Sequence, residues 1–273
     1  MLEGWQMAAL VGVGLLGGLL GGFLGVGGTV VFMPLLKIVC DANPGTPIDP
    51  HTAIAATLVL NICVGASGTV GHMRAGRVMF SIVRILVPAS MAASIAGVWV
   101  GNFFTGDDQV WLWRLFGMLM VYVVGLNAYR LFRPLSAVDE APGDRVGPPA
   151  PAWGVTAVGL VTGFASGLLG IGGGAIAVPA QQVFLRLRLR SAIGNSAVTV
   201  IFACLLAAVI KHATLASHGV DPARPWLYVV LMAPPAVLAA LAGSHLTHRV
   251  GRTWLRLVFI AFLVWTAYKM LTV

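Results

Sequence analysis

Two glycine-rich segments contain the residues in this chain that are best suited to bind a ligand through their backbone. Gly22–Pro34 reads GFLGVGGTVVFMP and Gly167–Pro179 reads GLLGIGGGAIAVP, with six identical positions at a constant offset of 145. Where a helix restarts after such glycines, its first N–H groups lack intrahelical acceptors and its dipole end is positive. A small anion can approach those groups closely, because glycine has no side chain. The repeat therefore predicts two backbone sites for a small anion.

We predict that three residues in each segment supply these backbone donors. They are Gly27, Gly28 and Thr29 in the first segment, and Gly172, Gly173 and Gly174 in the second. A purely architectural break of the helix is the alternative. A dinucleotide-binding loop is disfavoured, because such a loop follows a β-strand and here an apolar run of helical length precedes the glycines. Other glycines recur every four residues, a spacing typical of closely packed membrane helices. They are Gly14, Gly18, Gly22, Gly159, Gly163 and Gly167.

A second repeated block follows each glycine segment and supplies polar side chains. Thr52–Thr57 reads TAIAAT and Ser191–Ser196 reads SAIGNS, at an offset of 139. We predict that polar residues in and after these blocks line an anion pathway, although hydrogen bonding between helices is an equally valid role for them. These residues are Thr57, Asn61, Asn195 and Ser196. His72 and His212 fall near the ends of apolar runs, where an interfacial histidine is the simpler interpretation.

The elements that must position these groups are membrane-spanning helices. Of the 273 residues, 58% are hydrophobic and 10% are charged, whereas soluble domains average about 25% charged residues. Eight apolar runs are long enough to approach or cross a bilayer. They cover roughly residues 6–36, 52–72, 80–104, 110–132, 154–185, 191–213, 226–247 and 253–272. The fold class is therefore an all-α polytopic membrane protein, with the lipid bilayer as a partner.

The repeats divide the chain into two halves. A polar stretch rich in proline, residues 134–152, separates a first transmembrane repeat (1–133) from a second (153–273). Proline and polar residues in such a run are typical of a linker outside the membrane.

The first glycine-containing run is too long for one simple span. Its 31 residues would extend about 46 Å as a helix, against a hydrocarbon core of about 30 Å. The chain can either continue across as a broken helix or fold back as a re-entrant hairpin. One crossing per glycine segment divides the Lys and Arg residues 9 against 8, whereas two hairpins divide them 12 against 5. Because cytoplasmic loops are enriched in Lys and Arg, the hairpin model is favoured. It makes the halves inverted-topology repeats and places both termini outside.

The remaining composition excludes several function classes. The net charge of +8 does not indicate nucleic-acid binding, because the basic residues lie in short clusters between apolar runs, where they meet anionic lipid. No Asp or Glu lies deep in a run, so a carboxylate relay for protons is disfavoured. Three widely spaced cysteines form neither a disulfide framework nor a metal site. No nucleophilic or metal-binding motif is present, so we predict no enzyme activity, no metal and no cofactor.

The paired glycine segments and the blocks that follow them resemble the sulfite exporter TauE/SafE family. The resemblance covers nearly the whole chain, and the Gly-x-Gly-Gly sequence followed by proline, present twice, is its most specific mark. It implies transport of sulfite or organosulfonate anions across the bacterial inner membrane. The halves differ at one point, since Ala55 and Ala56 stand where the second half has Gly194 and Asn195, so they contribute unequally to any site.

The expected function is secondary transport of sulfite or a related small sulfur oxyanion or organosulfonate. The anion would be held by backbone N–H groups near the midplane of the bacterial inner membrane, with both termini periplasmic. A passive small-anion channel and a non-transporting membrane scaffold are the alternatives. The sequence leaves open the exact anion, the direction of transport, the coupling ion and the oligomeric state.

Overall fold

The computed structural model describes residues 2–24, 28–132, 150–246 and 252–272. Within these ranges the chain is helical and contains no β-strand, which confirms the predicted fold class. The first half contains α1 (Gly4–Leu24), α2 (Thr29–Asp41), α3 (Pro50–Arg74), α4 (Phe80–Asn102) and α5 (Val110–Phe132), with a 3₁₀ turn at Gly106–Gln109. The second half contains α6 (Ala152–Leu169), α7 (Gly174–Phe184), α8 (Leu189–Thr214), α9 (Arg224–Leu246) and α10 (Arg252–Leu271), with a 3₁₀ turn at Ala216–His218.

Seven of the helices among the described residues are long and apolar enough to cross a membrane. Local signals set several of their ends. Asp49 caps α3 by accepting hydrogen bonds from the backbone N–H of Thr52 at 2.8 Å and from its hydroxyl at 2.5 Å, and Pro50 occupies the first helical position. Helix α6 ends at Leu169, and Gly170 directly after it adopts a left-handed conformation with φ +67°. Both signals are those that soluble helices use, proline at the start and glycine at the end.

Both glycine segments fold back as helical hairpins. In the first half, Gln6 near the start of α1 donates to the carbonyl oxygen of Val39 at 3.1 Å, and Asn43 donates to the Glu3 carboxylate at 2.7 Å. Because Val39 lies near the end of α2, α2 runs back along α1. In the second half, a Cβ placed on Gly154 at the start of α6 would contact Leu185, just after α7, at 3.6 Å. The chain therefore reverses at each motif.

Two rows of glycines, which we call glycine stripes, join the halves. One stripe is Gly14, Gly18 and Gly22 on α1, and the other is Gly159, Gly163 and Gly167 on α6. Helix α1 packs along α9, and α6 packs along α4. A Cβ on any glycine of the two stripes would come closer than 3.0 Å to a heavy atom of the facing helix, so only glycine permits this approach. The packing role predicted from the four-residue spacing is confirmed for Gly14, Gly18, Gly22, Gly159, Gly163 and Gly167.

The helix contacts pair each half with the other. Helix α3 packs against α8, and α5 packs against α10. Helix α3 also contacts α9. In the same way α8, which corresponds to α3 in the second half, contacts α4, which corresponds to α9. Helices α3 and α8 carry the second repeated blocks and run antiparallel, because Lys211 near the end of α8 contacts His51 near the start of α3 and Gly65 faces Ile201. The blocks Thr52–Thr57 and Ser191–Ser196 therefore lie toward opposite ends of this helix pair. The predicted linker lies almost wholly outside the described residues, so the division into 1–133 and 153–273 stays a prediction.

Candidate functional site

Packing covers the described part of the first glycine motif, Gly28 and Thr29. Gly27 lies outside the described residues. Gly28 precedes α2 and is buried, and a Cβ there would overlap the Phe32 ring and lie 2.8 Å from the carbonyl oxygen of Gly17. Thr29, the first residue of α2, is fully buried, and its hydroxyl donates a hydrogen bond to the Asn61 side-chain oxygen. The start of α2 is therefore tied to the middle of α3.

The second motif has the backbone conformation that glycine alone adopts readily. Gly170, Gly172 and Gly173 have φ values of +67°, +68° and +72°, all in the left-handed region. Helix α7 then begins at Gly174. Its first N–H groups have no acceptor within the helix and lie at the positive end of its dipole. This is the broken-helix geometry that the sequence predicts for an anion site.

Asn61 joins the two motifs. Its side-chain nitrogen donates to the carbonyl oxygen of Gly170 at 3.0 Å, while its oxygen accepts from Thr29. A Cβ on Gly172 would lie 2.7 Å from Cγ of Asn61, so the amide packs directly on the glycine backbone. A single amide on α3 therefore holds the start of α2 and the break before α7 together.

A central cleft lies beside this junction. The empty space in it, including its opening to solvent, is about 580 Å³. Three of the predicted site residues line it: Asn61, Gly174 and Ser196. The other lining residues are mostly small or apolar, and they are Gly21, Gly22, Val64, Gly65, Gly68, His72, Ile193, Ala197, Val200 and Ala240. None of the residues that line the central cleft is acidic.

Two polar atoms at the central cleft have no hydrogen-bond partner among the described residues. Ser196 is 1% exposed, and its hydroxyl oxygen is buried and unpaired. Nδ1 of His72 is also buried and unpaired. Leaving a buried polar group unpaired costs about 1–3 kcal/mol, so a ligand that pairs with these atoms would stabilise the site. The sequence interpretation of His72 as an interfacial residue missed its place in this cleft, because its position near the end of an apolar run gave no sign of the neighbouring helix.

The other two predicted side chains have different positions. The Thr57 hydroxyl donates to the carbonyl oxygens of Ala53 and Ile54 in its own helix, at 2.8 and 3.1 Å, and a Cβ on Gly170 would lie 2.7 Å from it. Thr57 thus packs against the second motif. The Asn195 side chain accepts from the backbone N–H of Met79 at 2.8 Å and donates to Gln181 at 3.3 Å. Asn195 therefore ties α8 to α7 and to the start of α4, and it does not line the central cleft.

A smaller hydroxyl pocket adjoins the second motif. Its empty volume is about 190 Å³. Gly172 and Gly173 line it, and Val200 lines both this pocket and the central cleft. Four hydroxyls also line it, those of Ser90, Thr162, Ser166 and Thr199. Three of them donate to carbonyls of their own helices, and Ser166 pairs with Cys204. Across the described residues, no group of three or more His, Cys, Asp or Glu could hold a metal ion.

Comparison with known proteins agrees with this architecture. The family model described as sulfite exporter TauE/SafE matches residues 10–270. The probable membrane transporter protein YunE of Bacillus subtilis is 26% identical over 251 residues, which cover 88% of each chain. A probable membrane transporter protein of Haemophilus influenzae is 27% identical over 244 residues, covering 88% of this chain and 85% of that protein.

A longer relative matches this chain over almost its whole length. The probable membrane transporter protein MamO of Magnetospirillum gryphiswaldense is 26% identical over 300 residues, which cover 99% of this chain but 46% of MamO. This chain therefore spans about half the length of MamO. No solved structure matches the chain.

Proposed function

The chain belongs to the sulfite exporter TauE/SafE family of membrane transporters, and from this premise we propose that it carries sulfite or a related small sulfur oxyanion or organosulfonate. It is a multi-pass membrane protein and a transporter rather than an enzyme. The proposal concerns its substrate and the residues that hold it. We propose that the anion occupies the central cleft, at the start of α7.

The unpaired hydroxyl of Ser196 is the observation that carries this proposal. The hydroxyl is buried in the central cleft, which Gly174 at the N-terminus of α7 also lines. An oxyanion there would accept a hydrogen bond from Ser196 and from the first N–H groups of α7. Hydrogen bonds to a charged group contribute about 1.5–3 kcal/mol each. The acid-free lining adds no repulsion, so the cleft chemistry suits a small anion.

The remaining predicted residues take supporting roles in this proposal. Gly172, Gly173 and Gly174 provide the backbone donors of the second motif. Gly27 and Gly28 provide those of the first only in an arrangement in which the Phe32 ring no longer covers Gly28. Thr29 orients Asn61 through its hydroxyl. Thr57 and Asn195 pack around the second motif and hold α7 in place.

Replacing Ser196 tests the proposal most simply. We expect Ser196→Ala to raise the KM for labelled sulfite uptake into proteoliposomes roughly 10- to 100-fold, since one hydrogen bond to the anion is lost. Ser94→Ala is the matched control, because Ser94 is buried and its hydroxyl donates to the carbonyl of Met91 in its own helix. Equal KM values for the two variants would exclude Ser196 from the site.

We propose further that the two halves are inverted repeats in the inner membrane, with periplasmic termini. The hairpins at both motifs leave three further helices in each half, an odd number of crossings. This arrangement gives the uneven 12-to-5 division of basic residues that the positive-inside rule favours. Inverted repeats with broken helices at the midplane are typical of secondary transporters.

Single-cysteine labelling tests the orientation. In a background without the native cysteines, we expect Arg74→Cys and Arg190→Cys to react with an impermeant maleimide only from the cytoplasmic side. Asp107→Cys and Ala223→Cys should react only from the periplasmic side, because an odd number of crossings separates the two pairs. Labelling of Arg74→Cys and Asp107→Cys from one side would contradict this topology.

A further inference from the structure

A buried lysine lies far from the central cleft, near the end of α8. Lys211 is 1% exposed. Its ammonium nitrogen lies 2.6 Å from Nδ1 of His51 in α3 and 2.6 Å from the side-chain oxygen of Asn102 at the end of α4. No carboxylate among the described residues lies within ion-pair distance of it. An ionisable residue buried within a membrane helix is costly, and it usually marks a pathway for an ion or substrate.

The partners of Lys211 are both neutral. Nε2 of His51 lies 2.8 Å from the carbonyl oxygen of Phe104. A carbonyl only accepts hydrogen bonds, so Nε2 carries the proton, and Nδ1 accepts from Lys211. An Asn oxygen carries no charge either. The two hydrogen bonds therefore orient the ammonium without neutralising it.

The surroundings of Lys211 contain one acidic group and one unpaired nitrogen. Asp49 interacts electrostatically with Lys211, but its two oxygens already accept hydrogen bonds from Thr52 at the cap of α3. The His218 ring stacks on His51 with centroids 4.1 Å apart, and its Nδ1 is buried and has no partner. Burial and the positive charge of Lys211 both lower the pKa of His218, which keeps this ring neutral. The cluster thus places one buried lysine among neutral polar groups, with Asp49 as an acidic neighbour that forms no ion pair with it.

This cluster and the central cleft lie at opposite ends of the same two helices. On α8, Lys211 follows Ser196 by 15 residues, a helical rise of about 22 Å. On α3, His51 precedes Asn61 by 10 residues. The hydrogen bonds of Lys211 join α3, α4 and α8 at this end, while the cleft lies nearer the other end.

We propose that Lys211 is a second binding group for the transported oxyanion, at the end of α3 and α8 opposite the central cleft. The inference rests on the proposed function. His51 and Asn102 hold the ammonium in the closed arrangement seen here. When this end of the helix pair opens, an oxyanion replaces them as the partner of Lys211 and supplies the negative charge that the neutral groups do not. A buried ion pair with good hydrogen bonds removes the cost of an uncompensated charge.

Charge selectivity gives a readout that general structural damage would not change. Losing the ammonium should weaken the binding of a divalent anion more than that of a monovalent anion, because Coulomb attraction scales with charge. Thiosulfate and methanesulfonate are compared as competitors of sulfite exchange in proteoliposomes. In a background without native cysteines, we expect Lys211→Cys to lower the preference for thiosulfate over methanesulfonate about tenfold. Lys269→Cys is the control, because Lys269 is exposed near the end of α10.

Chemical modification then tests the charge itself. Alkylation of the thiol introduced by Lys211→Cys with 2-bromoethylamine, carried out before sulfite is added, forms a thioether that carries an ammonium group and releases bromide; sulfite does not cleave a thioether. We expect this reagent to restore the thiosulfate preference to within about threefold of wild type, and the alkylating reagent iodoacetamide, which adds a neutral group, to leave it low. The inference fails if the preference does not change in Lys211→Cys, if both reagents restore it equally, or if the introduced thiol reacts with neither reagent. Absence of sulfite exchange by the wild-type protein would instead overturn the proposed function, and this inference with it.

Discussion

Substituting alanine for Gly172 should reduce sulfite transport roughly 100-fold, because a left-handed alanine costs about 1–2 kcal/mol and displacing a packed neighbour about as much again. Gly172 has φ +68°, and the new Cβ would lie 2.7 Å from Cγ of Asn61. Asn61 would then have to leave the carbonyl of Gly170 and the hydroxyl of Thr29. The measurement is initial uptake of labelled sulfite into proteoliposomes with equal amounts of inserted protein.

A second glycine provides the control for backbone strain. Gly76 has φ +65°, and no heavy atom lies within 4 Å of where its Cβ would be. Gly76→Ala therefore carries the same conformational cost without touching Asn61, and we expect its uptake to stay within about threefold of wild type. Similar losses in both variants would show that strain alone is responsible, and the role given to the Gly172–Asn61 contact would be wrong.

Asn61→Asp should have the largest effect of any conservative substitution in the chain. Asn61 lines the central cleft, and the exchange keeps the side-chain shape but adds a negative charge. Two like charges about 4 Å apart repel by on the order of 4 kcal/mol at an effective dielectric constant of 20, which weakens anion binding about 1000-fold. The KM for sulfite at neutral pH measures this effect.

Asn61→Leu separates charge from hydrogen bonding. Leucine has a similar size, adds no charge and loses the hydrogen bonds to both Gly170 and Thr29, whereas aspartate loses only the one to Gly170. We expect Asn61→Leu to impair transport less than Asn61→Asp at neutral pH. A carboxylate variant that binds sulfite as well as the leucine variant does would contradict an anion in the central cleft.

The breaks at the glycine motifs could be predicted because they follow from local properties of the chain. Thirty-one apolar residues exceed a bilayer, and glycine lowers helix stability. The structure ends α6 at Leu169 and begins α7 at Gly174, with left-handed glycines between them. The stripe glycines were predictable for the same reason, since a spacing of four residues fixes one face of a helix.

The partners across the fold could not be predicted, because they depend on how distant helices pack. Asn61 and Gly170 are 109 residues apart, and Lys211 and His51 are 160 residues apart. Hydrophobic runs show that helices cross the membrane, but lipid-facing and buried surfaces in them are both mostly apolar, so hydrophobicity does not tell which faces pack together. For this reason the sequence shows His72 only as a residue near the end of an apolar run, and it gives no sign of the partners of Lys211. A lysine within an apolar run was the one signal that could have identified the second cluster.

Counterflow of labelled sulfite tests the central claim most directly. Proteoliposomes containing the purified protein are loaded with unlabelled sulfite and diluted into labelled sulfite, with thiosulfate and a small sulfonate as competitors. A carrier for sulfur oxyanions gives a transient accumulation of label above equilibrium, which saturates with sulfite and is reduced by the competitors. Uptake no greater than in empty liposomes, or a flux that neither saturates nor shows counterflow, would contradict the assignment of a sulfite carrier.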